Sequence, residues 1–188
     1  MRKQKKIILG VAGSIAAYKS ADILRGLQEK GFEVSVVMTK EAEQFITPLT
    51  LSSLSEEKAY TSMFHDGHEM PHIKLAQNAD LVLIAPATAN IIGKIACGIA
   101  DDLLTCIVLA TTAPVVIVPA MNVEMYRNKI VQENCARLKK FGFHFLQSRM
   151  SFCISSPFLL LSDHQTSEAA CLAFHSSYDS QARSISTG

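Results

Sequence analysis

Short unbroken apolar runs alternate with longer stretches in which apolar residues return every third or fourth position through the first 146 residues. Residues 7–11, 81–85 and 115–118 are such runs, and 34–38, interrupted only by Ser35, reads as another strand. A run of that length suits a parallel strand covered on both faces, since neither face meets water. Gly13-Ser14 breaks the first run, and Ala17, Ala21, Leu24 and Leu27 then fall at helical spacing up to about Lys30, with Gly31 as the stop. The pattern further predicts a short helical piece over 41–45 ended by Pro48, a helix over 50–60, a polar loop over 62–71 and a short helix over 72–79. Pro86–Asn90 turns the chain into another helix, Asp101-Asp102 caps the next, and 128–141 is a helix closed by Gly142, with a fifth strand over 143–146. Strands alternating with helices predict an α/β fold: a doubly wound parallel sheet, Rossmann-like or flavodoxin-like, with helices on both faces.

The character changes after Leu146. Residues 148–188 hold eleven serines, no lysine, and no glycine before the last position, and only 158–161 is an apolar run. The expectation is a domain over 1–146 and a weakly structured serine-rich tail over 147–188, with one short helix near 168–174. A net charge of +1 gives no electrostatic reason to expect nucleic acid as a partner. The basic cluster Arg2–Lys6 before an apolar run imitates an export signal, but Gly10, Gly13 and Ser14 interrupt the run and it leads into an amphipathic helix. No stretch reaches the ~18 apolar residues of a membrane span. The five cysteines are odd in number, scattered and without a C-x-x-C pair, as expected of reduced thiols in the cytoplasm. His65 and His68 flank Asp66-Gly67 without a third ligand at fixed spacing, so no metal is expected.

Ligands of open parallel sheets bind at the carboxyl ends of the strands, so the residues just after each strand carry the chemistry. After the first come Gly13 and Ser14, which allow close backbone approach to a ligand or simply a tight turn. After the second come Thr39 and Lys40, where a dinucleotide fold would place an acidic residue for the ribose. A hydroxyl beside an ammonium suits a terminal phosphate better, which favours a mononucleotide over NAD; the alternative is that Thr39 caps a helix. After the third come Pro86-Ala87-Thr88-Ala89-Asn90, small and polar-edged. After the fourth come Pro119-Ala120-Met121-Asn122, in which Asn122 offers a donor and an acceptor and Met121 a soft apolar surface.

Gly13-Ser14-Ile15-Ala16-Ala17-Tyr18-Lys19, His72-Ile73 with Leu75, Pro86–Asn90, Ala100-Asp101-Asp102-Leu103-Leu104 and Pro119–Met125 together resemble the successive motifs of the flavin-containing cysteine decarboxylases. Within that family the likeness is nearest to the phosphopantothenoylcysteine decarboxylases, and it covers about residues 5–146. The resemblance implies FMN as cofactor, held by Gly13, Ser14, Thr39, Phe45, Thr88, Ala89, Asn90 and Met121, at a subunit interface of a homotrimer or a multiple of trimers. It implies His72 as the catalytic histidine and Asn122 as the residue that orients the substrate carboxylate. The implied reaction is the decarboxylation of 4′-phosphopantothenoylcysteine towards 4′-phosphopantetheine in coenzyme A biosynthesis, with a phosphopantothenate–cysteine ligase as a separate partner. Without the resemblance, His72 reads as a solvated histidine at a helix start.

One family feature is missing. The full decarboxylases close a glycine-rich flap whose cysteine protonates the ene-thiol, and it should begin shortly after Leu146. Cys153 sits in Ser-Phe-Cys-Ile-Ser and Cys171 in Ala-Cys-Leu-Ala, with no flanking glycine. Two other readings therefore stand beside the first: a peptidyl-cysteine decarboxylase, which needs no flap cysteine, and a non-catalytic FMN-binding subunit.

Overall fold

Strand β1 (Lys6–Val11) lies inside a five-stranded sheet, with β2 (Glu33–Met38) on one side and β3 (Leu81–Ala87) on the other. Beyond β3 come β4 (Val115–Pro119) and β5 (His144–Phe145), giving the order β2-β1-β3-β4-β5 with every pair parallel. This is the flavodoxin-like arrangement expected from the alternating pattern. The computed structural model describes residues 4–55, 57–63 and 71–146, and the backbone of 150–153 and 156–159.

The two-residue period of the strands sorts their side chains onto two cores. Ile8, Val82, Ile84, Val115 and Ile117 pack on one face with Ala76 of α3 (Pro71–Asn78), Ile92 of α4 (Ala89–Cys97), Leu104 and Ile107 of α5 (Leu103–Ala110), and Leu138 of α7 (Lys129–Lys140). Ile7, Leu9, Val11, Leu81, Leu83 and Val116 face the other way, onto Leu24 and Leu27 of α1 (Ser20–Glu29) and Leu51 of α2 (Pro48–Ser55). Each such side chain contributes about 1.5–3 kcal/mol on burial, so neither face can be left uncovered.

Several local expectations are corrected. The first helix opens with a 3₁₀ turn over Ile15–Lys19 before α1. Pro48 begins α2 instead of ending the preceding turn, as proline can where the helix has no use for its missing N–H. That helix stops at Ser55. Tyr60, expected to be helical, forms a parallel bridge to Val37, with its carbonyl accepting from Met38 N at 2.8 Å and its own N–H donating to Val36 O at 2.9 Å. A one-turn helix α6 (Val123–Arg127), not expected from the pattern, precedes α7. In the serine-rich segment, β6 (Met150–Cys153) and β7 (Ser156–Leu159) form an antiparallel hairpin with Met150 opposite Leu159. The helix expected near 168–174 and most of the 62–71 loop lie outside the described residues.

Candidate functional site

The sheet's winding reverses between β1 and β3, because the chain adds β2 on one side of β1 and then crosses to the other. No connection covers the crevice at such a point. The loops that meet there are tied to each other: Ala12 N–H donates to Pro86 O at 3.1 Å, Ala120 N–H to Ala87 O at 2.9 Å, and Ser14 Oγ to Ala120 O at 3.4 Å. Three strand ends thus share one floor.

Above it is a cavity of about 490 Å³, within the range of small-molecule sites. Its wall contains Gly13, Ser14, Thr39, Phe45, Thr88, Ala89, Asn90, Met121 and Asn122. The order β2-β1-β3-β4 lays these residues out in sequence: Thr39, then Gly13 and Ser14, then Thr88–Asn90, then Met121 and Asn122. Four strand ends at ~4.8 Å spacing span roughly 14 Å.

Local structure fixes each side chain. Ser14 precedes the 3₁₀ turn and its Oγ accepts from Ala16 N at 3.3 Å. Thr88 caps α4, accepting from Ile91 N at 3.3 Å. Asn122 caps α6: its Oδ1 accepts from Glu124 N at 2.8 Å, which leaves the amide NH₂ as the group available to a ligand. Thr39 is 5% exposed, and its Oγ1 is buried with no hydrogen-bond partner among the described residues. A buried hydroxyl left so costs about 1–3 kcal/mol, and a ligand acceptor would relieve it. Gly13 has to be glycine here, because a Cβ would lie 2.4 Å from Glu41 Cβ and 2.9 Å from the Glu41 carbonyl carbon. The loops after β1 and β2 could not then approach.

Two expectations change. Lys40 is exposed and outside the cavity wall, so Thr39 stands there without a neighbouring ammonium; Glu41 lines the wall instead. His72, in the first turn of α3, does not line the cavity either. It is half-buried, and its Nδ1 is buried with no hydrogen-bond partner among the described residues.

The wall also contains two charged residues that the strand-end reading missed, Lys94 and Asp102. Lys94 Nζ lies 2.9 Å from Asp101 Oδ1 and 3.1 Å from Asp102 Oδ2. Asp102 Oδ1 meanwhile accepts from Thr105 N at 2.8 Å and caps α5. The bond to Asp101, reinforced by Asp102, raises the Lys94 pKa above the ordinary lysine value of 10.5 although burial opposes it. Lys94 in turn lowers the Asp101 pKa below 3.8. The signal was present in the sequence, since Lys94 follows Asn90 by four residues and so shares its helix face.

Cys97, Cys106 and Cys135 are free thiols. Among the described residues no three His, Cys, Asp or Glu side chains cluster as metal ligands, and no helix is long and apolar enough to cross a membrane.

Fold and site define an α/β protein of the flavodoxin-like class with its cavity at the topological switch point. Residues 1–171 match the family described as Flavoprotein. The coenzyme A biosynthesis bifunctional protein CoaBC of Vibrio vulnificus is 54% identical over 140 residues, which is 73% of this chain and 35% of that protein. A Streptococcus mutans protein named "probable phosphopantothenoylcysteine decarboxylase" is 47% identical over 151 residues, covering 78% of this chain and 84% of that one. The crystal structure of the FMN-dependent cysteine decarboxylase SpaF superposes with a TM-score of 0.81 at 31% identity, over 92% of this chain and 98% of the other. The chain belongs to the Flavoprotein family. It spans about a third of the length of the bifunctional relatives it matches.

Proposed function

We propose that the chain binds FMN in this cavity and is a carboxy-lyase acting on 4′-phosphopantothenoylcysteine in coenzyme A biosynthesis. The observation that carries this reading is the buried, unpartnered hydroxyl of Thr39 in the wall of a cavity that also gathers Gly13, Ser14, Phe45, Thr88, Ala89, Asn90 and Met121. A phosphate oxygen is the acceptor that Thr39 Oγ1 lacks. Gly13 keeps the backbone open beside it, and Phe45 and Met121 offer apolar surface to a flat ring. When bound, FMN supplies a two-electron acceptor for the cysteinyl group, without which the carboxylate has no electron sink.

The remaining work falls to the protein. Asn122 directs its amide N–H groups at the substrate carboxylate while its Oδ1 stays on Glu124 N. It orients the carboxylate without a full charge that would hold the ground state too tightly. His72 moves a proton through its imidazole ring. That His72 lies outside the cavity of its own subunit supports a working form that is a homotrimer, or a multiple of one, in which His72 serves the cavity of a neighbouring copy. The enzyme works in the cytoplasm, and a phosphopantothenate–cysteine ligase supplies its substrate.

The test is incubation with phosphopantothenoylcysteine while carbon dioxide, the thiol product and the flavin spectrum are followed together. Carbon dioxide release with bleaching of a bound FMN spectrum is expected. Bound flavin without carbon dioxide would leave a flavin-binding subunit, and turnover only of a carboxyl-terminal peptidyl cysteine would reassign the substrate.

A further inference from the structure

Lys94 has no part in the reaction as just described, yet its side chain lies in the cavity wall, one helical turn beyond Asn90 on the same face of α4. A lysine ammonium carries three N–H donors. Two are directed at Asp101 and Asp102, and the third has no protein partner among the described residues. The two carboxylates also pin the ammonium, so its position is set before a ligand arrives.

The charge of the group decides what that donor can bind. One ammonium and two carboxylates sum to −1 around Lys94. A phosphate or carboxylate placed here would meet net repulsion, whereas a neutral carbonyl oxygen accepts the N–H without it. We propose that Lys94 donates a hydrogen bond to a neutral carbonyl oxygen of the bound ligand. The inference rests on the FMN-dependent reading above, and that reading offers two sources of such an oxygen. One is the dioxopyrimidine edge of the flavin ring, and the other an amide carbonyl of the substrate's pantothenoyl chain.

A charge-matched pair of variants isolates the donor. Lys94→Met combined with Asp101→Asn removes the ammonium yet keeps the local charge at −1. Asp101→Asn alone keeps the ammonium on Asp102 and puts an amide oxygen, which still accepts an ammonium N–H, in place of a carboxylate that is itself 54% exposed, so it should behave like the parent. Each protein is stripped of flavin and titrated with FMN, the absorption spectrum of the bound flavin is recorded, and KM and kcat are measured on the reloaded protein. The double variant is expected to lose about tenfold or more in one quantity, the usual effect of a hydrogen bond to a charged group. If the flavin is the source, FMN affinity falls and the flavin absorption band shifts. If the substrate is the source, KM rises with FMN affinity unchanged. On the parent protein, the Lys94 Nζ resonance must also move on addition of one of the two ligands, a measurement independent of how the variants fold. Unchanged affinity, spectrum and KM in the double variant, an equal loss in Asp101→Asn alone, or a stationary resonance overturns the proposal and leaves Lys94 as a clamp on the loop before α5. A parent protein that binds no FMN overturns the functional reading itself, and this inference with it.

Discussion

The Ser14 hydroxyl donates to the Ala120 carbonyl at 3.4 Å, reaching from the end of β1 to the end of β4 across the strand that lies between them. With the Ala12–Pro86 and Ala120–Ala87 bonds, this makes the cavity floor a network of backbone groups already satisfied. Polar atoms left without partners therefore mark where a ligand belongs.

Thr39 is such a mark. Thr39→Val removes the hydroxyl and nearly preserves its volume, so the flavin-free protein is expected to gain up to about 1 kcal/mol in stability from losing an unsatisfied group. FMN affinity should fall about tenfold over the same change. Thermal melts with and without FMN, beside a fluorescence titration, read both effects. A variant that loses stability in the flavin-free form would mean that Thr39 is paired inside the protein.

His72 and Asn122 supply a test of the shared site. Each of His72→Asn and Asn122→Asp should retain FMN and lose decarboxylation; the second places a like charge beside the substrate carboxylate. If His72 serves a neighbour's cavity, subunits of the two inactive variants unfolded and refolded together should regain activity at about a quarter of the sites, the share expected for random mixing in a closed ring. Activity that stays at zero in mixed assemblies places both residues in one subunit's site.

Gly13→Ala tests the close approach of the first two loops. A methyl group 2.4 Å from Glu41 Cβ forces the loops apart, at a cost of about 1–3 kcal/mol. The loss of FMN binding should exceed the loss of stability, since the displaced segment carries Ser14 on one side and Thr39 on the other. Denaturant titrations and FMN titrations of the same preparation separate the two.

Cys153 is the cysteine nearest the place where a proton-donating flap should begin. The product formed by the parent protein in the absence of oxygen should be the unsaturated thiol, because residues 151–156 carry no glycine to let a flap close tightly. Mass spectrometry of the product, with and without Cys153→Ser, decides it. A saturated product that becomes unsaturated in the variant shows Cys153 to be the donor.

Much of this site was legible because a parallel sheet presents its ligand at the carboxyl ends of its strands, and the apolar runs located those ends closely. Thr39, Gly13, Thr88–Asn90 and Met121-Asn122 needed only that rule. Lys94 and Asp102 were missed because they come to the wall by helical geometry, one a turn beyond Asn90 and the other through the cap of α5. Tyr60 was misjudged because its bridge to Val37 is a contact between segments far apart in the chain, whose period alone looked helical. The β6–β7 pairing escaped notice for want of a turn signal, since the sequence over 150–159 has neither the glycine nor the asparagine that tight hairpins favour. The strand-end rule could not place His72, which comes from the first turn of α3 and not from the end of a strand.

The bond from Asn122 Oδ1 to Glu124 N has a thermodynamic consequence for recognition. An unrestrained amide would have to give up rotational freedom when it met a carboxylate, at about 0.5–1.5 kcal/mol per immobilised side chain. Here that freedom is surrendered when the chain folds and α6 forms. If Asn122 meets the substrate carboxylate as proposed, that encounter needs no search of rotamers, and the gain should appear in the entropy of binding.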